Sequence, residues 1–112
     1  MTSNLLTNKE IKWKNMKGIF IAYDQAYNME VADALNDLGV KGFTMWQDIA
    51  GCGSETGEPH LGNHAWPTMN NAILTFVPDE TVDDILAKLR AMDEETPDLG
   101  LRAFAWNVEK SY

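Results

Sequence analysis

Three side chains that could bind a metal ion lie close together in the sequence. Cys52, His60 and His64 are the single cysteine and the two histidines of the chain, and zinc and copper favour thiolate and imidazole ligands. The two histidines are four residues apart, but in a segment rich in glycine and proline that does not impose helical geometry. No CxxC or HExxH motif accompanies them. Two hypotheses stay open, a metal site and loop residues that form ordinary hydrogen bonds.

The glycines of the same segment indicate a second kind of chemistry. Gly51, Gly53 and Gly57 directly follow a predicted strand, and closely spaced glycines let a backbone approach a phosphate group and direct N–H groups at it. No Lys-Ser or Lys-Thr pair follows, as it would in a Walker loop, and no helix begins there, as it would in a dinucleotide fingerprint. An anion cradle and a set of flexible turns are both compatible with this spacing.

An enzymatic interpretation has the least support. Cys52, a histidine and Glu58 have the residue types of a nucleophile, a base and an orienting acid. Residues that are adjacent in sequence on one loop rarely hold catalytic geometry, however. We therefore expect that the chain is not an enzyme and that it has no catalytic residues.

Length and charge restrict the class of protein. A chain of 112 residues is one domain's worth. Its net charge of −8, from 17 acidic and 9 basic residues, disfavours nucleic acids and anionic membranes, because both are bound through clusters of lysine and arginine. The sequence has no signal-peptide pattern and no apolar run near the roughly 20 residues that span a bilayer. The lone cysteine agrees with a reducing compartment, so we expect a cytoplasmic protein that does not insert into a membrane.

The hydrophobic pattern predicts the elements that must hold this segment. Residues 1–15 are polar with scattered apolar positions and are expected to be an extension or a tag-like segment, whereas 16–112 is expected to be the domain. Apolar runs rich in β-branched and aromatic residues predict strands, and apolar positions at helical spacing predict helices. The predicted strands are 17–23, 41–49, 72–77 and 101–108, the helices follow the first and third strands, and the loop covers about 51–70.

Local patterns add finer predictions about these elements. Asn28 is expected to cap the first helix through its side chain. Asp79 or Thr81 is expected to cap the second, and Thr81 with Asp84 approximates a capping box. Within the second strand, Met45 and Ile49 are expected on one face, because side chains alternate between the two faces of a sheet.

The order β, α, β, β, α, β is that of the ferredoxin-like split βαβ fold. We therefore predict an α+β domain in which a four-stranded antiparallel sheet carries two helices on one face. In a sheet with one solvent-exposed face, apolar and polar residues should alternate along each strand. These strands, however, have apolar residues on both faces. The residues concerned are Phe20 and Ile21, Phe43 and Trp46, Ile73 and Leu74, and Phe104 and Trp106. The uncovered face is therefore expected to pack against other copies of the chain.

Three segments resemble a known family. Residues 38–44 read Leu-Gly-Val-Lys-Gly-Phe-Thr, residues 51–57 read Gly-Cys-Gly-Ser-Glu-Thr-Gly, and residues 73–79 read Ile-Leu-Thr-Phe-Val-Pro-Asp. Nitrogen-regulatory PII signalling proteins have a similar turn after the first helix, a Gly-x-Gly-x-x-x-Gly motif at the base of a long T-loop, and a strand that leads into Val-Pro-Asp. The chain resembles this family over most of its predicted domain.

The resemblance implies a homotrimeric regulator that holds ATP, ADP or AMP in the clefts between its subunits. It also implies that the T-loop grips a protein target, which in the family is a membrane transporter or a metabolic enzyme. Loop residues such as Glu58 and Trp66 are then expected to contact the partner. The positions that the resemblance implies for nucleotide or other effector contacts are Gly51, Gly53, Gly57 and Arg102.

The chain departs from the family's pattern in three ways. The loop after Gly53 is shorter than a standard T-loop and contains no tyrosine, so uridylylation is not expected. The family's phosphate loop is reduced to Thr-Pro-Asp-Leu-Gly-Leu-Arg over 96–102, in which Arg102 alone keeps a phosphate-directed cation. The sequence ends at Tyr112, before the family's late arginine pair, so the expected set of ATP ligands is incomplete.

The alternative is a metal-binding or metal-tolerance trimer of the CutA-like kind, which shares the fold. This hypothesis depends on Cys52, His60 and His64. A metal ion is therefore the second candidate ligand, after an adenine nucleotide.

Overall fold

The computed structural model describes residues 15–51, 59–62 and 68–112. The elements are β1 (Met16–Asp24), α1 (Asn28–Asp37), β2 (Thr44–Ile49), β3 (Asn70–Pro78), α2 (Val82–Glu95) and β4 (Arg102–Asn107). Within the described residues, the four strands form one antiparallel sheet in the order β2-β3-β1-β4. This is the strand order of the ferredoxin-like fold, so the predicted fold class is confirmed.

The hydrophobic core lies between the sheet and the two helices. Ile19, Ile21 and Tyr23 are fully buried in β1, and they share a face because side chains alternate along a strand. They join one apolar cluster with Ile85 and Leu89 of α2, whose spacing of four places both on one helix face. The other buried members of the cluster are Val31, Leu35, Val40, Ile73, Val77, Val82, Leu99 and Leu101.

Both helix starts differ from the predicted capping. The side chain of Asp24 accepts the Ala26 N–H at 2.9 Å and caps a short 3-10 turn that precedes α1. Asn28 is already helical and its side chain forms no cap, so that prediction is wrong. Thr81 lies at the cap position of α2, but its hydroxyl donates to the Pro78 carbonyl oxygen at 2.8 Å instead of accepting a helix N–H. Asp79 belongs to the 3-10 turn before α2, so neither predicted cap forms and the capping box with Asp84 is also wrong.

A β-bulge interrupts β2. Trp46 is opposite Ala72 and Ile49 is opposite Asn70, so β2 contains one more residue than β3 between these two pairs. Asp48 takes up the irregularity with a φ of 55°. Because Ala72 and Asn70 lie on the same face of β3, the bulge moves Ile49 to the face of Trp46. The prediction that Ile49 shares a face with Met45 is therefore wrong.

The sheet face opposite the helices is apolar and exposed in the single chain. Phe104 is 61 % exposed and lies opposite Phe20 in the β1–β4 register. Trp46, Phe76 and Trp106 are further large exposed side chains on this face. No described element covers it. The strands β1 and β3 are apolar on both faces as predicted, whereas Phe43 precedes β2, and Phe104 and Trp106 share the exposed face of β4. Within the described ranges, no helix is long and apolar enough to cross a membrane.

Candidate functional site

The two limbs of the glycine-rich loop meet at an isolated bridge. The Gly51 N–H donates to the His60 carbonyl oxygen and the His60 N–H donates to the Gly51 carbonyl oxygen, both at 2.6 Å. The chain then returns to β3, where the Gln25 N–H donates to the Met69 carbonyl oxygen at 3.0 Å and extends the β1–β3 pairing. The bridge therefore joins the first residue of the loop to a residue near its middle, and Gly51 and His60 together are called the loop base below.

Asn70 lies beneath this bridge. Its side-chain Oδ1 is 2.5 Å from His60 Nδ1, so the imidazole donates from Nδ1 to the amide oxygen. The Asn70 amide nitrogen also occupies the space that a Cβ on Gly51 would need. Gly51 therefore has two structural roles. Its N–H forms the bridge, and its lack of a side chain leaves space for the Asn70 amide.

The turn before β4 reaches the same end of the sheet. Pro97–Leu99 form one 3-10 turn that ends at Gly100, whose φ of 57° is left-handed. A Cβ on Gly100 would lie 3.5 Å from His60 Cε1, so the turn packs directly against the loop base. The loop base of Gly51 and His60 and the shortened phosphate loop, which are far apart in sequence, are therefore neighbours in the fold.

Arg102 is the first residue of β4, two residues after that turn. Its Nη1 donates to the Leu101 carbonyl oxygen at 2.7 Å and lies 3.8 Å from Asp93 Oδ2. Asp93 Oδ1 accepts the Leu101 N–H at 3.0 Å, which ties the end of α2 to the start of β4. The guanidinium is half-exposed and borders a groove of about 630 Å³ between α2 and β4. The site thus offers a cation that is already shared with one carboxylate.

On the helix side of the sheet, a buried polar network supports the bulge that leads to the loop. The Tyr23 hydroxyl donates to Asn28 Oδ1 at 2.5 Å, and Asn71 Nδ2 donates to the same oxygen at 3.1 Å. Asn71 Oδ1 accepts the Asp48 N–H at 3.2 Å. Burial raises the pKa of the Tyr23 hydroxyl, and the neighbouring Asn71 amide opposes that rise. A chain of hydrogen bonds therefore runs from β1 to the bulge of β2.

Sequence reasoning missed Asn70 and Asn71. It assigned them to the loop and began β3 at Ala72, because asparagine is typical of turns. Both side chains are buried in the fold, and buried amides need hydrogen-bond partners. Two adjacent asparagines directly before an apolar strand are the signal that could have identified them.

The described residues include three of the predicted site residues. Gly51 and His60 are in contact, and Arg102 lies two residues beyond the turn that His60 touches. Six other predicted site residues lie outside the described residues, namely Cys52, Gly53, Gly57, Glu58, His64 and Trp66. The described part of the chain contains no cluster of three or more side chains that could hold a metal ion. The metal site of Cys52, His60 and His64 stays a prediction.

Residues 16–112 match the family model described as nitrogen regulatory protein P-II. No protein matches in a comparison with curated sequences. Several solved structures share the fold. CPII from Thiomonas intermedia K12, bound to ADP and bicarbonate, has a TM-score of 0.68 at 22 % identity, covering 83 % of this chain and 85 % of that chain.

Two further structures extend this likeness. A PII-like signalling protein from Thermus thermophilus has a TM-score of 0.61 at 25 % identity, with 83 % of this chain and 86 % of that chain covered. GlnK of B. subtilis, in complex with ATP, has a TM-score of 0.60 at 16 % identity, with 83 % and 81 % covered.

Proposed function

Because the chain belongs to the nitrogen regulatory protein P-II family, we propose that it is a non-enzymatic regulator that binds an adenine nucleotide beside its loop base. The observation that carries this proposal is the contact between His60 of the loop base and the Gly100 turn. Bound nucleotide would touch both limbs of the loop and the start of β4. Its presence or absence would then change the surface that the loop presents to a partner.

The chemistry of this end of the sheet suits a modestly charged phosphate ligand. Arg102 supplies a cation, but Asp93 already partly neutralises it. ADP or AMP, which carry less charge than ATP, are therefore the favoured nucleotides. Solved relatives support this ligand class, since CPII was found with ADP and bicarbonate and GlnK with ATP.

The exposed sheet face supports a homotrimer as the functional unit. Phe104, Trp106 and Phe76 form an apolar surface that no described element covers, and such faces mark protein interfaces. Packing of three copies through this face would create clefts between subunits at the ends of the sheets. The proposed nucleotide would lie in these clefts.

The loop of about 51–70 is the proposed contact with a target protein. Glu58 and Trp66 are its proposed contact residues, because tryptophan is enriched at the centres of interfaces. The proposed target is a membrane transporter or a metabolic enzyme, and the regulator itself would act from the cytoplasm.

Native mass spectrometry and calorimetry with ADP, AMP, ATP and bicarbonate test the proposal. We expect a trimer that takes up one ADP per subunit, with binding weakened about tenfold or more in Arg102→Gln, because a charge-assisted hydrogen bond contributes about 1.5–3 kcal/mol. Lys88→Gln is the matched control, since it removes one cation from the exposed surface of α2. A monomer, or a trimer that ignores all three nucleotides, would contradict the proposal.

A metal-binding trimer is the second candidate, and the geometry of His60 favours it. Its Nδ1 is used by Asn70, so Nε2 is left as a potential ligand, an arrangement that is common among metal-binding histidines. Cys52 and His64 would complete the proposed set. Zinc and copper titrations of the wild type and of Cys52→Ser/His60→Ala/His64→Ala decide this, because unchanged affinity would exclude these residues as ligands.

A further inference from the structure

We propose that Asn70 and Asn71 form a clasp that positions the loop base for effector binding. Neither residue is proposed to touch the effector, so both are positioning residues. The inference about their structural role stands on hydrogen bonds in the fold, and the inference about effector affinity rests on the proposed function.

Asn71 holds the limb that enters the loop. It lies on the helix face of β3 opposite Tyr23 and is 4 % exposed. Its Oδ1 accepts the Asp48 N–H at 3.2 Å, and its Nδ2 donates to Asn28 Oδ1 at 3.1 Å. The side chain thereby fixes the left-handed residue of the bulge, from which the chain runs directly to Gly51.

Asn70 holds His60, the second residue of the loop base. It lies on the opposite sheet face and is 9 % exposed. Its Oδ1 is 2.5 Å from His60 Nδ1, and its amide nitrogen packs against Gly51. The side chain therefore fixes both the ring orientation of His60 and the close approach of the bridge.

The clasp depends on the geometry of a strand. Consecutive residues point to opposite faces of a sheet. Asn71 therefore contacts Asp48 on one face, and Asn70 contacts His60 on the other. An apolar residue at either position would leave a polar group near the loop base without its hydrogen-bond partner, which is unfavourable where that group is buried. The two limbs are thereby held in a fixed relationship to β3.

The two asparagines differ in their hydrogen-bonding roles, so a substitution by aspartate should affect them differently. Asn70 acts towards His60 as an acceptor, and aspartate would keep that role. Asn71 must both donate to Asn28 and accept from Asp48, and aspartate would place a carboxylate against the Asn28 oxygen. We therefore expect Asn70→Asp to preserve the clasp and Asn71→Asp to break it.

The first experiment is a long-range ¹H–¹⁵N correlation of the imidazole rings at alkaline pH, where free imidazole is neutral. We expect His60 to carry its proton on Nδ1 in the wild type and in Asn70→Asp. In Asn70→Ala we expect the proton on Nε2, which neutral imidazole prefers in water. His64→Gln assigns the two signals, and an Nε2 proton in wild-type His60 would overturn the clasp.

The second experiment is amide hydrogen exchange, which reports local opening. Asn71→Ala should accelerate exchange at Asp48, and Asn70→Ala should accelerate it at Gly51 and His60. Asn107→Ala is the matched control, because it removes a strand asparagine that hydrogen-bonds a side chain, Lys17, near the start of β1. Unchanged exchange at the loop base in both clasp variants would contradict the proposal, and Asn70→Ala decides it alone if Asn71→Ala does not fold.

ADP titration links the clasp to effector binding. We expect Asn70→Ala and Asn71→Ala to weaken ADP binding about three- to tenfold, because Asn70→Ala removes the hydrogen bond to His60 and Asn71→Ala removes those to Asp48 and Asn28. Asn70→Asp should bind ADP more tightly than Asn70→Ala but more weakly than the wild type, because it keeps the acceptor for His60 and adds a negative charge near the phosphates. Wild-type affinity in alanine variants that show faster exchange would overturn the positioning role. A wild type that binds no nucleotide would defeat the proposed function, while the tautomer and exchange results would still decide the clasp.

Discussion

The indole of Trp106 lies across the backbone of Gly18, so that a Cβ on Gly18 would be 2.5 Å from Trp106 Cζ2. The same indole packs edge-to-face with Phe76, with ring centroids 6.5 Å apart and planes inclined by 83°. Gly18 lies between these residues in the register of the sheet. The glycine therefore allows two aromatic side chains from flanking strands to meet on the exposed sheet face.

Gly18→Ala is expected to disrupt this packing. The new methyl group would meet both Trp106 and Phe76, and overpacking of this kind typically costs about 1–3 kcal/mol. Urea unfolding at matched protein concentration measures the free energy of unfolding. Gly42→Ala is the control, because a Cβ there would meet no atom within 4 Å, and a change within about 0.5 kcal/mol is expected. Equal destabilisation by both substitutions would contradict the role of Gly18.

Phe104→Glu is expected to dissociate the proposed trimer. A carboxylate at the centre of a buried apolar interface would lose its hydration without a partner, so sedimentation should show a shift towards monomer at micromolar concentration. Met29→Glu is the matched control, since Met29 is 74 % exposed on α1, away from this face. An intact trimer with Phe104→Glu would place the interface elsewhere.

Tyr23 is expected to make stability depend on alkaline pH. Burial raises the pKa of its hydroxyl above the ordinary value of 10.0. The unfolded chain therefore ionises first, so the contribution of Tyr23 is fully present below pH 10 and is lost as the pH rises through the raised pKa. Tyr23→Phe should cost about 1 kcal/mol at neutral pH through the lost hydrogen bond and should reduce the alkaline loss of stability.

Urea unfolding at about pH 8 and about pH 11, on either side of the ordinary tyrosine pKa, measures this effect. Tyr27→Phe is the control, because it removes a second tyrosine hydroxyl from a partly buried ring. The difference in stability between wild type and Tyr23→Phe should shrink at the higher pH. A constant difference would show that the Tyr23 hydroxyl does not carry the alkaline loss.

Asp93→Asn is expected to strengthen ADP binding. The substitution keeps an oxygen that can accept the Leu101 N–H but removes the charge that lies 3.8 Å from Arg102 Nη1. Because exposed ion pairs are worth about 0.2–1 kcal/mol, the gain in ADP affinity should be about 1.4- to fivefold. Glu94→Gln removes one negative charge from the adjacent exposed position and should have a smaller effect. Equal gains would indicate a general charge effect and would argue against competition for Arg102.

The order of elements could be predicted because it depends on local spacing. Val82, Ile85 and Leu89 repeat at helical intervals and are buried in α2, and the apolar run after Asn71 forms β3. Asn70 and Asn71 show the limit of this reasoning. Their residue type indicates a loop, but their side chains bond to groups 10 and 23 positions away, and those contacts draw them into the strand.

The predicted site likewise combines features that the sequence indicated with features that only the fold revealed. The sequence singled out Gly51, His60 and Arg102 by residue type and by resemblance, and the fold brings Gly51 and His60 into contact. Local pattern could not reveal that Asn70 requires the glycine, or that Asp93 shares the arginine. Both relationships join residues on different elements.

The sequence by itself determined the order of strands and helices, the two-sided apolar character of β1 and β3, and the acidic net charge. These properties depend on residue types and on the spacing of near neighbours. Only the tertiary structure decided the start of β3, the bulge at Asp48 and the meeting of Gly51, His60 and Gly100. Each of these depends on hydrogen bonds and on pairing between segments that are distant in the chain, which are fixed only when those segments meet in the fold.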